Sequence, residues 1–232
     1  MDLVEVMPGL HLLHFGLGQA YLWHERDCLT LIDTGMPGAA ADVAGAIASL
    51  GFSPSDVRNV VVTHAHEDHY GSVAEIASWG EATIMVGRAD AAVIRGHESA
   101  PRPVREDMPD WELALYDNLP PMPVCAPARV DRELDDGDEL DFGGGAEVIA
   151  IPGHTAGSVA IHLPRHRLLF SGDTIANVEG NTILGVFNSD PAGAADSFRK
   201  LAELDLSLVL VGHGDPLGGK ASARLRQVAS AL

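Results

Sequence analysis

Thr63-His64-Ala65-His66-Glu67-Asp68-His69-Tyr70-Gly71 (THAHEDHYG) holds three histidines and two acids between positions 64 and 69. The residues leading into it, Asn59-Val60-Val61-Val62-Thr63, form an apolar, β-branched run that reads as a buried strand. If the chain stays extended past Thr63, His64 and His66 project to the same side, because strand side chains repeat with period two. Asp68 and His69 then open a helix, predicted over 69–78 with Val73, Ile76 and Ala77 on its inner face, and aim at a neighbouring point. Two imidazoles and an offset carboxylate–imidazole pair suit two adjacent metal ions better than one. Both donor types suit zinc, and both also suit manganese or iron. The competing reading makes Asp68 an N-cap of that helix, with solvated histidines around it.

Three more apolar runs end in the same way. Residues 148–151 lead to His154, 168–170 to Asp173 and 208–211 to His213, as 60–62 lead to His64. Strand ends can converge on one sheet edge, where binding residues are commonly placed. Taken alone, His154 and His213 read equally well as turn histidines, and Asp173 follows a glycine as in ordinary turn chemistry. With the opening motif they complete a set of five histidines and two aspartates. The remaining histidines at 11, 14, 24, 97, 162 and 166 have no such partners and read as structural.

Elsewhere the pattern is a mixture of short strands and helices. Strands are predicted at 9–15, 20–23 and 28–32, with a hairpin turn at Glu25-Arg26-Asp27, and again at 81–86, 159–163 and 167–170. Helices are predicted over 39–50, closed by Gly51, over 192–203 and over 219–231. Residues 95–128 break the rhythm. They hold seven of the 14 prolines, together with Trp111 and Tyr116, and read as a lid or insertion within a single domain of residues 1–232.

Composition narrows the function further. A chain of 232 residues with 46% hydrophobic residues buries a sizeable core without covalent staples. Its net charge of −18 opposes a phosphate backbone, so no nucleic-acid partner is expected. Cys28 and Cys125 form neither a metal-like pair nor a disulfide framework. The N-terminal MDLVEVMPGL lacks the basic start of a signal peptide, and no run reaches the roughly 20 apolar residues of a membrane span. The expectation is a cytoplasmic protein with no membrane partner and a small-molecule substrate; its oligomeric state is not specified.

The motifs HAHEDH (64–69), PGHTAGS around His154, SGDT around Asp173, GHGDP around His213 and the upstream Leu31-Ile32-Asp33-Thr34-Gly35 together resemble the metallo-β-lactamase superfamily. The resemblance implies an α/β (α+β) fold, a four-layer αββα sandwich with two metal ions at one edge. It places one ion on His64, His66 and His154 and the second on Asp68, His69 and His213. Asp173 and a hydroxide would bridge the two, and Asp33 would support the metal-binding loop from behind. Two zinc ions are implied, with manganese or iron(II) as alternatives. Attack by the hydroxide on a small ester, lactone or thioester is the implied reaction, with Asp68 orienting the nucleophile and relaying a proton. Trp111, Tyr116 and Phe187 are expected substrate contacts.

Departures from individual branches narrow the choice. Aspartate rather than cysteine stands at 173, and His66 stands where flavodiiron-type oxidoreductases carry an acid. The Gly-Cys-Gly-Arg stretch usual after the bridging aspartate in glyoxalase II enzymes and persulfide dioxygenases is absent, and the short tail after His213 is not expected to hold a glutathione-binding domain. Ala176 stands where quorum-quenching lactonases carry tyrosine. The rival readings are a mononuclear iron oxidoreductase of the same fold, persulfide-dioxygenase-like, a β-lactam-hydrolysing member, and a non-catalytic metal-binding scaffold.

Overall fold

The computed structural model describes residues 1–26, 28–100 and 102–232. Asp27, expected in the first hairpin turn, and Pro101, one of the clustered prolines, lie outside them. Seven strands form the first sheet in chain order: β1 (Asp2–Met7), β2 (Leu10–His14), β3 (Gln19–Glu25), β4 (Cys28–Ile32), β5 (Val57–Val62), β6 (Thr83–Gly87) and β7 (Arg132–Leu134). β1 to β4 pair antiparallel through short turns, whereas β4 to β7 run parallel. Parallel neighbours need crossovers. These carry α1 (Ala40–Ser49) after β4, the short α2 (Glu67–Tyr70) and α3 (Val73–Ile76) after β5, and α4 (Ala91–Ile94) and α5 (Asp110–Asp117) after β6.

The second sheet comprises β8 (Glu139–Leu140), β9 (Ala146–Ala150), β10 (Val159–Leu163), β11 (Leu168–Phe170) and, after an intervening hairpin of β12 (Ile175–Val178) and β13 (Asn181–Leu184), β14 (Leu208–Leu210). Its spatial order is β14-β11-β10-β9-β8, with β14 parallel to β11. Helix α6 (Pro191–Ala202) makes that crossover and α7 (Ala221–Ala229) follows β14.

Three hydrophobic clusters show how the layers stack. In β5, Val60 and Val62 face α1, α3 and α4 through Val43, Ile47, Val73, Ile76, Val93 and Ile94. Val61 faces the other way, into a cluster between the sheets with Phe170, Ile161 and Leu210. On the second sheet Ala160, Leu169 and Val209 turn outward onto Phe198 and Leu201 of α6 and Leu225 of α7. The order is therefore helices, sheet, sheet, helices: the expected four-layer αββα sandwich. A strand covered on both faces has no reason to alternate apolar with polar residues, which explains the unbroken Val60-Val61-Val62.

The helix expected over 69–78 is divided into α2 and α3. Gly71 lies so close to Pro37 and the Glu67 carbonyl that a Cβ there would overlap both. Ser72 is diverted from helix geometry: its hydroxyl donates to the Met36 carbonyl at 2.6 Å and accepts the Ala39 N–H at 2.8 Å. Asp68 does not cap α2. The cap position is His66, and Asp68 lies within the helix. The proline-rich 95–128 carries more regular structure than expected, a short 3₁₀ turn at Arg105–Asp107 and then α5, which starts immediately after Pro109. No helix among the described residues is long and apolar enough to cross a membrane.

Candidate metal centre

β5, β9, β11 and β14 deliver their following loops to one edge of the sandwich. His64 and His66 leave β5, α2 holds Asp68 and His69, and His154 follows β9. Asp173 sits in the 3₁₀ turn Gly172–Thr174 after β11, and His213 follows β14. All seven predicted residues meet there. The rings of His64, His66 and His154 lie 4.5–4.8 Å apart, centroid to centroid, and those of His69 and His213 lie 5.5 Å apart. Ligand atoms within 4.8 Å of one another define three overlapping groups: His64, His66 and His154; His64, His69 and Asp173; and Asp68, His69 and His213. Asp173 reaches into both halves. Its Oδ2 is 3.5 Å from His154 Nε2 and 3.2 Å from His213 Nε2, and its Oδ1 is 3.3 Å from His69 Nε2.

The imidazoles are held from behind. Asp33, in left-handed backbone geometry at φ +60°, accepts the Thr63 N–H at 2.7 Å and the Thr63 hydroxyl at 2.8 Å. Its Oδ2 also accepts the Nδ1–H of His69 at 2.9 Å. Because the Thr63 hydroxyl proton is committed to Asp33, its oxygen is free to accept from His64 Nδ1 at 3.0 Å. His154 Nδ1 donates to Asn188 Oδ1 at 3.3 Å, and the Asn188 amide is oriented by its own donation to the Gly185 carbonyl at 2.6 Å. Each ring therefore turns its Nε2 inward. The Nε2 atoms of His64, His69 and His154 and Oδ1 of Asp173 are buried without a hydrogen-bond partner among the described residues. Each such group costs about 1–3 kcal/mol. Divalent cations fit this donor set: neutral imidazoles braced through the far nitrogen, plus carboxylates, are what zinc-type sites require.

Electrostatics agree with that fit. Burial, reinforced by neighbouring His69, holds His64 well below the usual imidazole range. Burial and His66 push His154 down to about 3. Burial also opposes charge on His213, but Asp173 and Asp68 outweigh it and raise the ring to about 10. His69 is likewise held well above its ordinary value, with Asp173, Asp68 and Asp33 overcoming burial. Burial would raise both aspartates; His69 and His213 instead hold Asp68 at about 2, and His213 and His69 hold Asp173 well below its usual range. The carboxylates thus favour protons on His69 and His213, the two rings a cation binding here would have to deprotonate.

Asp90 carried no signal in the sequence. It is 2% exposed; its Oδ2 accepts the Ala65 N–H at 2.8 Å and the Thr155 hydroxyl at 2.6 Å, while Oδ1 accepts the Gly157 N–H at 2.9 Å. It thereby ties the loop bearing His64 and His66 to the loop bearing His154. A short aspartate in a GRAD stretch resembles any turn residue, and only the contact across 65 positions distinguishes it.

A cavity of about 170 Å³ opens over the cluster, bounded by Asp68, His154, Asp173 and His213 and by a largely apolar wall that includes Leu17, Leu119, Met122 and Val186. Tyr116 and Phe187 also line it, packed edge to face at 5.4 Å. Trp111 is set apart. It is 55% exposed and lines a neighbouring depression with Val104 and Leu184, because five residues of helix rotate it about 140° from Tyr116. Glu67 also leaves the cluster, pairing with Arg102. Among the other histidines, His11 stacks on His24 at 5.7 Å and His162 meets Glu147 across the sheet at 3.3 Å.

Comparison with known proteins agrees with this geometry. A probable metallo-hydrolase, YflN of Bacillus subtilis (strain 168), is 27% identical over 232 residues, covering 93% of this chain and 88% of the relative. The hydroxyacylglutathione hydrolase of Aeromonas salmonicida (strain A449) is 30% identical, covering 83% of this chain but 60% of its own length. An acyl-coenzyme A thioesterase of Gallus gallus, MBLAC2, is 30% identical over 71% of this chain and 59% of the relative. Among solved structures, the metallo-β-lactamase family protein TTHA1429 from Thermus thermophilus superposes with a TM-score of 0.70 at 25% identity, covering 98% of this chain and 79% of that one. The MIM-2 metallo-β-lactamase gives 0.67 at 26% identity, over 96% and 84%. The family model for the metallo-β-lactamase superfamily matches residues 15–213, from the end of β2 to the last histidine of the cluster, and the chain belongs to that superfamily.

Proposed function

We propose that this protein is a binuclear metal-dependent hydrolase, zinc being the resident ion, that acts on a small ester, lactone or thioester. The observation that carries the proposal is the pair of ligand groups joined through Asp173, with inward-facing nitrogens that have no other partner among the described residues. His64, His66 and His154 would hold one ion, Asp68, His69 and His213 the other, and Asp173 would contact both. When bound, such ions supply Lewis acidity and bring the pKa of water toward about 7.

The chain's own groups supply the rest. Asp33, Thr63 and Asn188 hold the imidazoles in the tautomer that keeps Nε2 free. Asp68, at the cavity floor, orients the attacking water and carries its proton to the leaving group. Phe187, Val186 and Leu119 receive the acyl portion and keep bulk water from it. We read residues 1–232 as one domain, with 95–128 as its roof: Tyr116 and Leu119 reach the cavity from this segment, and Glu112 accepts the Phe187 N–H at 2.5 Å. Hydroxyacylglutathione hydrolase and acyl-coenzyme A thioesterase among the relatives support thioesters as a substrate class, although both are longer than this chain.

Metal analysis of natively purified protein, combined with a screen of esters, lactones, thioesters, phosphodiesters and β-lactams, tests the proposal. Two zinc per chain with ester, lactone or thioester turnover is expected. One iron per chain with oxygen consumption would establish the mononuclear oxidoreductase instead, and preferential β-lactam turnover would establish a β-lactamase.

A further inference from the structure

The cavity over the metal centre is too small for the usual ligand. At about 170 Å³ it falls below the roughly 300–1,000 Å³ of typical small-molecule sites. A second cleft of about 610 Å³ adjoins it, sharing Glu67, Arg102 and Met122 with its wall. The two differ in character. The inner cavity is mostly apolar away from the metal ligands, whereas the outer cleft presents Glu98, Ser99, Tyr70 and Cys125.

Arg102 stands at the junction and is the one Lys or Arg that lines either space among the described residues. Its Nη2 donates to Glu67 Oε1 at 2.5 Å, and this bond fixes the guanidinium over the boundary. The Arg102 side chain is 55% exposed, and the Glu67 side chain is 11% exposed. A guanidinium carries five N–H donors. One is used by Glu67, so an edge remains to meet a second anion in the fork geometry that suits carboxylates. In a chain of net charge −18, a cation placed away from the metal cluster favours an anionic group at that end of the substrate.

We propose that Arg102 is a specificity-determining residue that binds a carboxylate on the distal part of the substrate. The substrate is bipartite: a small apolar acyl group occupies the inner cavity, and the carboxylate-bearing remainder runs past Arg102 into the outer cleft. This rests on the hydrolase reading above and narrows its substrate class.

The test compares metal-loaded wild type, Arg102→Gln and Arg102→Lys on 4-carboxyphenyl acetate and its uncharged 4-carbamoylphenyl analogue. Wild type is expected to prefer the carboxylate ester in kcat/KM, mainly through KM. Arg102→Gln is expected to reduce that preference about 10- to 100-fold, and Arg102→Lys to retain part of it. The lysine variant also leaves Glu67 with a cationic partner, which separates loss of recognition from loss of folding. No preference in wild type, or the same preference in Arg102→Gln, overturns the proposal. Calorimetric binding of 4-hydroxybenzoate to the three proteins is a readout separate from turnover. If neither ester turns over but 4-hydroxybenzoate binding depends on Arg102, the hydrolase reading fails and the anion site stands. Binding that is equal in all three proteins overturns the anion site.

Discussion

Replacing Asp90 by asparagine changes one atom of a group that ties the two histidine loops together. Its Oδ2 accepts from Ala65 N–H and the Thr155 hydroxyl, its Oδ1 from Gly157 N–H. The asparagine amide has a single acceptor oxygen. With that oxygen at the Oδ2 position, the NH₂ faces Gly157 N–H; flipped, it faces Ala65 N–H. The Thr155 hydroxyl rotates to suit either choice, but one backbone donor is always set against another donor. Two buried donors then lack acceptors, each costing about 1–3 kcal/mol, so a loss of about 2–6 kcal/mol is expected. Stability runs at about 0.05–0.15 kcal/mol per residue, so a chain of 232 residues has more than this to lose and Asp90→Asn should remain folded. Urea unfolding in chelator reads the change directly, as a lower midpoint with an unchanged slope. Metal binds only the folded state, and its affinity should fall about 10- to 100-fold because the His64–His66 and His154 loops lose their common anchor. Asp196→Asn is the control: Asp196 is 79% exposed in its pair with Arg199, and about 0.5 kcal/mol or less is expected there. An Asp90→Asn protein that matches this control in stability and keeps wild-type metal affinity would refute the reasoning.

Three further outcomes follow from the same geometry. In Asp33→Asn the amide NH₂ at the Oδ2 position donates to His69 Nδ1, which moves the ring proton to Nε2, where the metal would bind; folded protein with metal affinity lowered at least about 10-fold is expected by equilibrium dialysis. A Cβ at Gly212 would overlap Asp173 Oδ1 and lie 2.8 Å from His69 Cε1, so Gly212→Ala should disturb both ligands. Its metal content should drop while circular dichroism stays native, and full occupancy would contradict the packing. Metal-loaded Asp68→Asn should lose about 10²–10⁴-fold in kcat if Asp68 moves the proton, and wild-type turnover at full metal content would remove that role.

Much of this site was legible along the chain because its ligands are local or follow a local signal. His64, His66, Asp68 and His69 lie within one short stretch of chain, and His154, Asp173 and His213 each follow an apolar run. Those runs are unbroken because both faces of each strand are covered, so the loop positions were readable from them, while the four-layer sandwich was implied by the resemblance that the motifs carry. The division of the helix after Tyr70 was not readable, because it depends on Pro37 packing against Gly71 and on Ser72 bonding to Met36.

Residue types in order, then, determined the fold class and the superfamily, since apolar periodicity and motif spacing are properties of the chain itself. Asp33 apart, tertiary structure alone decided which groups brace the ligands and what lies beside them. Asp90 reaches Thr155 across 65 positions, Asn188 reaches His154 across 34, and Arg102 reaches Glu67 across 35. Trp111 and Tyr116, neighbours on α5, are separated only by the rotation of a helix. A hydrogen bond depends on a few ångströms and an angle, and no local pattern encodes where two distant segments will meet.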